Sequence, residues 1–431
     1  MSASPSRLKT RSYPPVELAP GAEGRPSPGS PPGLWLRIFL PFAAGYYLSY
    51  LLRTVNAVLA PELTRELGLS ATHLGLLTSA YFLAFGACQL PLGLALDRYG
   101  ARRVEAALLL FAAAGALLFA VGDSLGLLIV GRALIGLGVS ACLMGALKCL
   151  FEWFPPERHA SLTGAIMASG GLGALSASVP LTWLLPAIGW RGVFIAAAAF
   201  TLLVIAALWT VPERSVPRAS EPLGQQLRAV AGIFRTAVFW RFGLQMGVVA
   251  GATMALQGLW AVPWLMTVNG YSRTVAADHL FLMSTAMLAG FLGVAAFATP
   301  LARRGMKPVY LLGGGIALVL VASLAILFDL GDTRLTWLLL GFGASTGNLA
   351  YAQLSAHFPP QLSGRVSTAI NLLAFAGAFS LQWGFGALVD ALLAAGWASA
   401  AAYRASFTVL LVLEAVAFVW FIAGDRIIRK T

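Results

Sequence analysis

Residues 93–103 read Gly93-Leu94-Ala95-Leu96-Asp97-Arg98-Tyr99-Gly100-Ala101-Arg102-Arg103. This short polar stretch separates two long apolar runs, 72–95 and 103–121. Each run has the roughly 20 residues that a helix needs to cross bilayer hydrocarbon. Two such runs with a loop this tight read as a membrane-spanning helical hairpin. The same pattern continues along the chain, with further runs at 35–59, 125–152, 159–185, 190–211, 239–267, 276–300, 308–329, 334–357, 364–391 and 403–424. Composition agrees: 58% of the 431 residues are hydrophobic and only 11% are charged. A soluble domain carries about 25% charged residues. The runs are continuous rather than alternating, which excludes an outer-membrane barrel. The expected fold is an all-α membrane protein with twelve transmembrane helices.

The cationic residues set the expected orientation. With the N-terminus in the cytoplasm, about 21 of the Lys and Arg fall on the cytoplasmic side and about five outside. Arg98, Arg102 and Arg103 lie in the second loop, and Arg303, Arg304 and Lys307 lie in the eighth. Both termini are thus expected in the cytoplasm. The same crowding accounts for the net charge of +12, and nothing in the pattern points to nucleic acid. Residues 1–33, rich in proline and serine, read as a disordered tail, not a secretory signal. Residues 212–238 form the longest connection and divide the chain into bundles 34–211 and 239–425, with a short tail at 426–431. Cys88, Cys142 and Cys149 all fall in apolar runs and read as small buried residues. No His, Cys or acidic spacing argues for a metal, and no cofactor is expected.

The two halves repeat. Gly100-Ala-Arg-Arg103 recurs as Gly305-Met-Lys-Pro308, Gly136-Leu-Gly138 as Gly341-Phe-Gly343, and Phe154-Pro-Pro156 as Phe358-Pro-Pro360. Gly173 has a partner in Gly377. The offset stays near 205 throughout, so the bundles are expected to be pseudo-symmetric six-helix units. Repeated bundles that rock about a midplane site are a transporter design.

The 93–103 stretch resembles the loop signature G-x-x-x-D-R-x-G-x-R-R of the major facilitator superfamily. Arg132-Ala-Leu-Ile-Gly136-Leu-Gly138 resembles that family's R-x-x-x-G-x-G element in span four. The resemblance covers about Leu34 to Arg429. It implies that Gly93, Asp97, Arg98, Gly100 and Arg102, with Glu152 as an acidic neighbour, latch the two halves in the outward-open state. Ala302 stands where Asp97 would recur, so the second half carries a weaker latch or none.

Ionisable residues inside a membrane are costly and mark function by default. Arg53 lies in span one on a polar stripe with Tyr46, Ser49, Tyr50 and Asn56, within an arc of about 120°. Arg132 lies at similar depth in span four. By the resemblance, both spans line the central cavity. Two cations with no nearby intramembrane carboxylate favour an anionic ligand, and a guanidinium suits carboxylate or phosphate. Gln257, Trp260, Asn348, Tyr351 and Asn371 are candidates for the uncharged part of a substrate. Glu414, midway in span twelve, is a candidate proton carrier, although the family places that span away from the cavity.

No catalytic constellation is present. The reading is a secondary transporter of a small solute, expected to be an organic anion, working as a monomer by alternating access in a bacterial inner membrane. The stretches Tyr47–Arg53, Leu67–Ser70 and Gly75–Ser79 resemble the organic-anion and organophosphate carriers. The arginine those carriers hold in span seven is missing, because no Lys or Arg falls between Arg241 and Arg273. The rival readings are a proton-coupled multidrug or metabolite exporter and a non-transporting sensor on the same fold.

Overall fold

The computed structural model describes residues 32–154, 158–212, 228, 231–359 and 362–428. The expected tail before residue 32, most of the central connection and the last three residues lie outside these, as do Pro155, Pro156 and Pro360 of the repeated motif.

The described chain is helical almost throughout. Nine segments are long and apolar enough to cross a membrane: Ala71–Gln89, Ala101–Val121, Leu125–Trp153, Val179–Trp209, Ala237–Thr267, Arg273–Phe297, Pro308–Leu327, Gly364–Ala394 and Ser399–Gly424. Helical stretches Pro32–Leu67, His159–Ser176, and Thr333–Ala344 with Leu349–Ser355 stand at the expected places of spans one, five and ten. Val179–Trp209 bends at Gly189 (φ 64°), which closes span five and opens span six. The span numbers used below follow this order.

Local chemistry explains the helix boundaries. Ser70 caps span two by accepting from His73 N at 3.3 Å, and its own N–H donates to His73 Nδ1 at 3.4 Å. Such reciprocal capping satisfies amides that hydrocarbon could not. Asp332 caps span ten with a single side-chain bond, accepting from Leu335 N at 3.0 Å. Three turns use a left-handed glycine at matching places in the two halves: Gly68 and Gly270, Gly100 and Gly305, Gly189 and Gly396. Only glycine adopts these angles freely, so the repeat holds in backbone conformation as well as in sequence.

The repeated glycines inside spans mark equivalent helix crossings. A Cβ on Gly136 would strike the Tyr81 backbone of span two, and one on Gly341 would strike the Met283 backbone of span eight. Likewise Gly173 meets Tyr47 of span one, and Gly377 meets Gly247 of span seven. Small residues at these points let backbones approach without a side chain between them. Outward faces carry large apolar side chains such as Val121, Trp183, Leu203 and Val419, as a lipid-facing surface requires.

The two halves meet at the end opposite the 93–103 loop. Span two packs on span eleven there, with Phe85 and Phe375 ring centroids 4.2 Å apart. Nearer that end, Asp390 accepts from Ala71 N at 3.1 Å and Thr72 N at 2.8 Å. Arg273 pairs with Glu62 across the same seam. At the 93–103 end the halves stand apart: a Cβ on Gly93 or Gly364 would meet nothing within 4 Å.

Candidate functional site

Between the halves lies a cavity of about 500 Å3. Span one supplies Tyr46, Ser49, Tyr50 and Arg53 to it, because these residues share one helix face. Phe85 and Phe375, packed across the seam at a tilt of 31°, lie beside Arg53 at its closed end. Span seven bends around it through two π-helical turns, Met246–Ala250 and Leu256–Trp260. Such turns widen a helix and concentrate at functional sites. Here they flank Gln245, Met246, Thr253, Met254 and Gln257, all on the cavity wall. Span ten tightens into a 3-10 turn at Ser345–Asn348, next to Asn348 and Tyr351.

Arg53 is the one charged residue among the described lining residues. It is 6% exposed. Its guanidinium carbon lies 4.4 Å from the Tyr50 ring centre, 5.8 Å from that of Phe85 and 5.7 Å from that of Phe375. Its Nε has no hydrogen-bond partner, and no described carboxylate pairs with it. A cation over an aromatic face gains about 0.5–2 kcal/mol. Burying an unpaired charge costs several kcal/mol. Nε is the one guanidinium nitrogen left buried without a partner, and an anion in the cavity would offset the cost that the aromatic contacts leave.

The other candidates divide into two groups. Tyr46, Tyr50, Gln257, Asn348, Tyr351 and Asn371 all line the cavity with Arg53. Tyr351 donates to Asn371 Oδ1 at 2.7 Å, and Gln257 donates to Ser284 Oγ at 3.2 Å. Asn56, Arg132 and Trp260 lie outside it. Asn56 donates to Thr78 Oγ1 at 3.0 Å, tying span one to span two. Arg132 is fully buried, donates to Leu52 O at 2.8 Å and sits 5.2 Å over the Tyr81 ring. Trp260 donates to Gln382 O at 2.9 Å, tying span seven to span eleven within the second half. Glu414 is buried in span twelve, away from the cavity.

At the open end, Gly100 (φ 82°) makes the turn into span three. Arg98 is exposed, 5.3 Å from its neighbour's ring in Tyr99. Arg102 donates to Val211 O at 2.8 Å and lies over Trp209. Glu152 faces Lys148 at 3.7 Å. The side chain of Asp97 lies outside the described ones.

Sequence reasoning missed several polar residues. Gln89 and Ser140 line the cavity, and Gln89 donates to Ser140 O at 3.4 Å. Five methionines, Met144, Met167, Met246, Met254 and Met287, line it too. An intramembrane carboxylate was also missed: Glu105 is fully buried one turn into span three, outside the cavity. Its signal was plain, an acid just inside an apolar run, but the adjacent Arg102 and Arg103 made it look like part of a loop.

Two bundles, a seam closed at one end and a cavity with one buried cation define a secondary transporter rather than an enzyme. The family profile of the Major Facilitator Superfamily matches residues 42–382, and the chain belongs to that family. A probable nitrate/nitrite antiporter of Thermus thermophilus, NarK1, is 26% identical over 416 residues, covering 89% of this chain and 90% of the relative. The hexuronate transporter of Bacillus subtilis (strain 168) is 30% identical over 177 residues, 39% of each chain. A solved structure of a bacterial homologue of the human lysosomal transporter Spinster, inward-facing and unoccupied, superposes with a TM-score of 0.74 at 19% identity, covering 92% of this chain and 98% of that one.

Proposed function

We propose that this transporter carries a small organic anion, with Arg53 as the group that holds its charge. The observation that carries the reading is the buried guanidinium in the cavity with no carboxylate beside it. The names of the relatives, a nitrate/nitrite antiporter and a hexuronate transporter, support an anion. Tyr46, Tyr50, Gln257, Asn348, Tyr351 and Asn371 meet the uncharged part of the cargo. Arg132, bonded to a backbone carbonyl, braces span four against span one.

The positive-inside pattern supports a cytoplasmic 93–103 loop and cytoplasmic termini, and we read the protein as a monomer in a bacterial inner membrane. The cavity then opens inward, and the Glu62–Arg273 and Asp390 contacts shut the outer side. In this state the 93–103 latch is disengaged. It engages when the bundles rock to open outward. Phosphate esters fit less well than carboxylates, since the cavity offers one cation.

The test is counterflow in proteoliposomes with labelled nitrate, galacturonate and propionate, beside glucose and tetraphenylphosphonium. The reading expects exchange of at least one anion, lost in Arg53→Gln. Exchange of tetraphenylphosphonium alone would make the protein a drug exporter instead.

A further inference from the structure

Glu105 has no part in the site described above, and its surroundings are unusual. It is fully buried, and neither carboxyl oxygen has a hydrogen-bond partner. Three helices meet around it. A Cβ on Gly45 of span one would strike Oε1, and a Cβ on Gly145 of span four would stand 2.6 Å from Oε2. The Cys142 sulfur lies 3.7 Å from the same Gly45 position. The slot exists because positions 45 and 145 carry no side chain.

No described cation pairs with the Glu105 oxygens, although Arg102 and Arg103 precede Glu105 within one turn on span three. On span three, Arg102 is one turn away and bonded to Val211 O. On span four, Cys142 is the near titratable group, and Lys148 lies a turn beyond Gly145, facing Glu152. Span two contributes Arg98, which is exposed over Tyr99. Span six, packed on span three, has Arg191 at its far end, paired with Glu66 at 3.2 Å. Span one contributes Tyr46, on the cavity side.

We propose that Glu105 is a proton-binding site that couples a proton gradient to anion transport. Bare charge in a slot with no cation and only the weak Cys142 thiol beside it costs several kcal/mol, so slot occupancy and proton occupancy go together. With its proton on, the carboxyl docks between spans one and four. With its proton off, it leaves. Gly45 adjoins Tyr46 and Gly145 adjoins Met144, and both neighbours line the cavity. Docking therefore sets the spacing of two cavity walls. Lys148 and Glu152, at 22% and 37% side-chain exposure, lead from the slot toward the open end. One proton and one monovalent anion cross together, and no net charge moves.

This inference rests on the anion reading for its coupling, but the proton site has a test of its own. The first experiment is an infrared difference spectrum of the purified full-length chain on a pH jump without substrate. The wild type is expected to show a carboxylic-acid carbonyl band that Glu105→Gln lacks. An unchanged set of bands in Glu105→Gln overturns the proposal. The second is uptake of galacturonate and propionate into proteoliposomes under a pH gradient of about one unit, which drives up to about tenfold accumulation at one proton per anion. Glu105→Gln is expected to lose accumulation yet keep exchange of labelled for unlabelled anion. Full accumulation in that variant overturns the coupling. Should Glu105→Gln fail to fold, Gly145→Ala keeps the acid and fills its slot, and the same losses are expected. A Glu105 band with no anion transport would sink the anion reading and leave the proton site standing.

Discussion

Removing Asp390 should open the seam that closes one end of the cavity. Its carboxylate accepts from Ala71 N at 3.1 Å and Thr72 N at 2.8 Å, at the N-terminus of span two, where negative charge is favoured. A hydrogen bond to a charged group contributes about 1.5–3 kcal/mol when shielded. Asp390 is half-buried, so solvent screening reduces the pair to about 1–2 kcal/mol in total. Asp390→Asn should then shift the balance between the two conformations by about five- to thirtyfold. Adding Glu62→Gln removes the ion pair to Arg273 and should carry the shift past about thirtyfold. The assay is electron-spin distance measurement between labels on Thr64→Cys and Ala398→Cys, both exposed at that end, with the three native cysteines replaced by alanine. The parent should give the short distance, and the double variant a dominant longer one. An unchanged distribution in the double variant would refute the assignment of these contacts as the closing force.

Three further outcomes follow from the same geometry. Gly173→Ala places a methyl against the Tyr47 backbone, so it should destabilise the protein by about 1–3 kcal/mol or more. A melting curve in detergent reads this, and an unchanged melting temperature would mean that spans one and five are not packed as described. Arg132→Met should lower the melting temperature by removing the bond to Leu52 O while leaving anion affinity within about twofold. A loss of affinity as large as that of Arg53→Gln would place Arg132 in the binding machinery. Tyr351→Phe removes the hydroxyl that fixes Asn371 and should weaken anion binding by about 0.5–1.5 kcal/mol, measured by titration calorimetry. No change would take this pair out of the site.

Much of the architecture could be read from the chain because membrane physics leaves few choices. Backbone groups in hydrocarbon must bond within a helix, so apolar run length alone located the nine described spans that are long and apolar enough to cross a membrane. The duplicated glycines were equally legible: Gly136 with Gly341, and Gly173 with Gly377, do the same job at equivalent crossings. The site was harder. Arg53 and Arg132 look alike in sequence, each a cation in an apolar span, yet one faces the cavity and the other a backbone carbonyl. Helical periodicity places a residue on a face but does not say which neighbour that face meets. The π-helical turns of span seven have no sequence signature, and in one of them Gln257 lines the cavity while Trp260 does not. Nothing near Asp390 in sequence points to its partner amides, which lie more than 300 residues away.

The central claim, an anion held by Arg53, is tested most directly by ligand-induced thermal shift on purified protein with Arg53→Gln beside it. A ligand binding the folded state alone adds about 2.7 kcal/mol at a concentration 100 times its Kd. The account predicts that nitrate or a carboxylate raises the melting temperature of the wild type and leaves that of Arg53→Gln unmoved. Equal shifts in both proteins, or shifts with lipophilic cations alone, would contradict it.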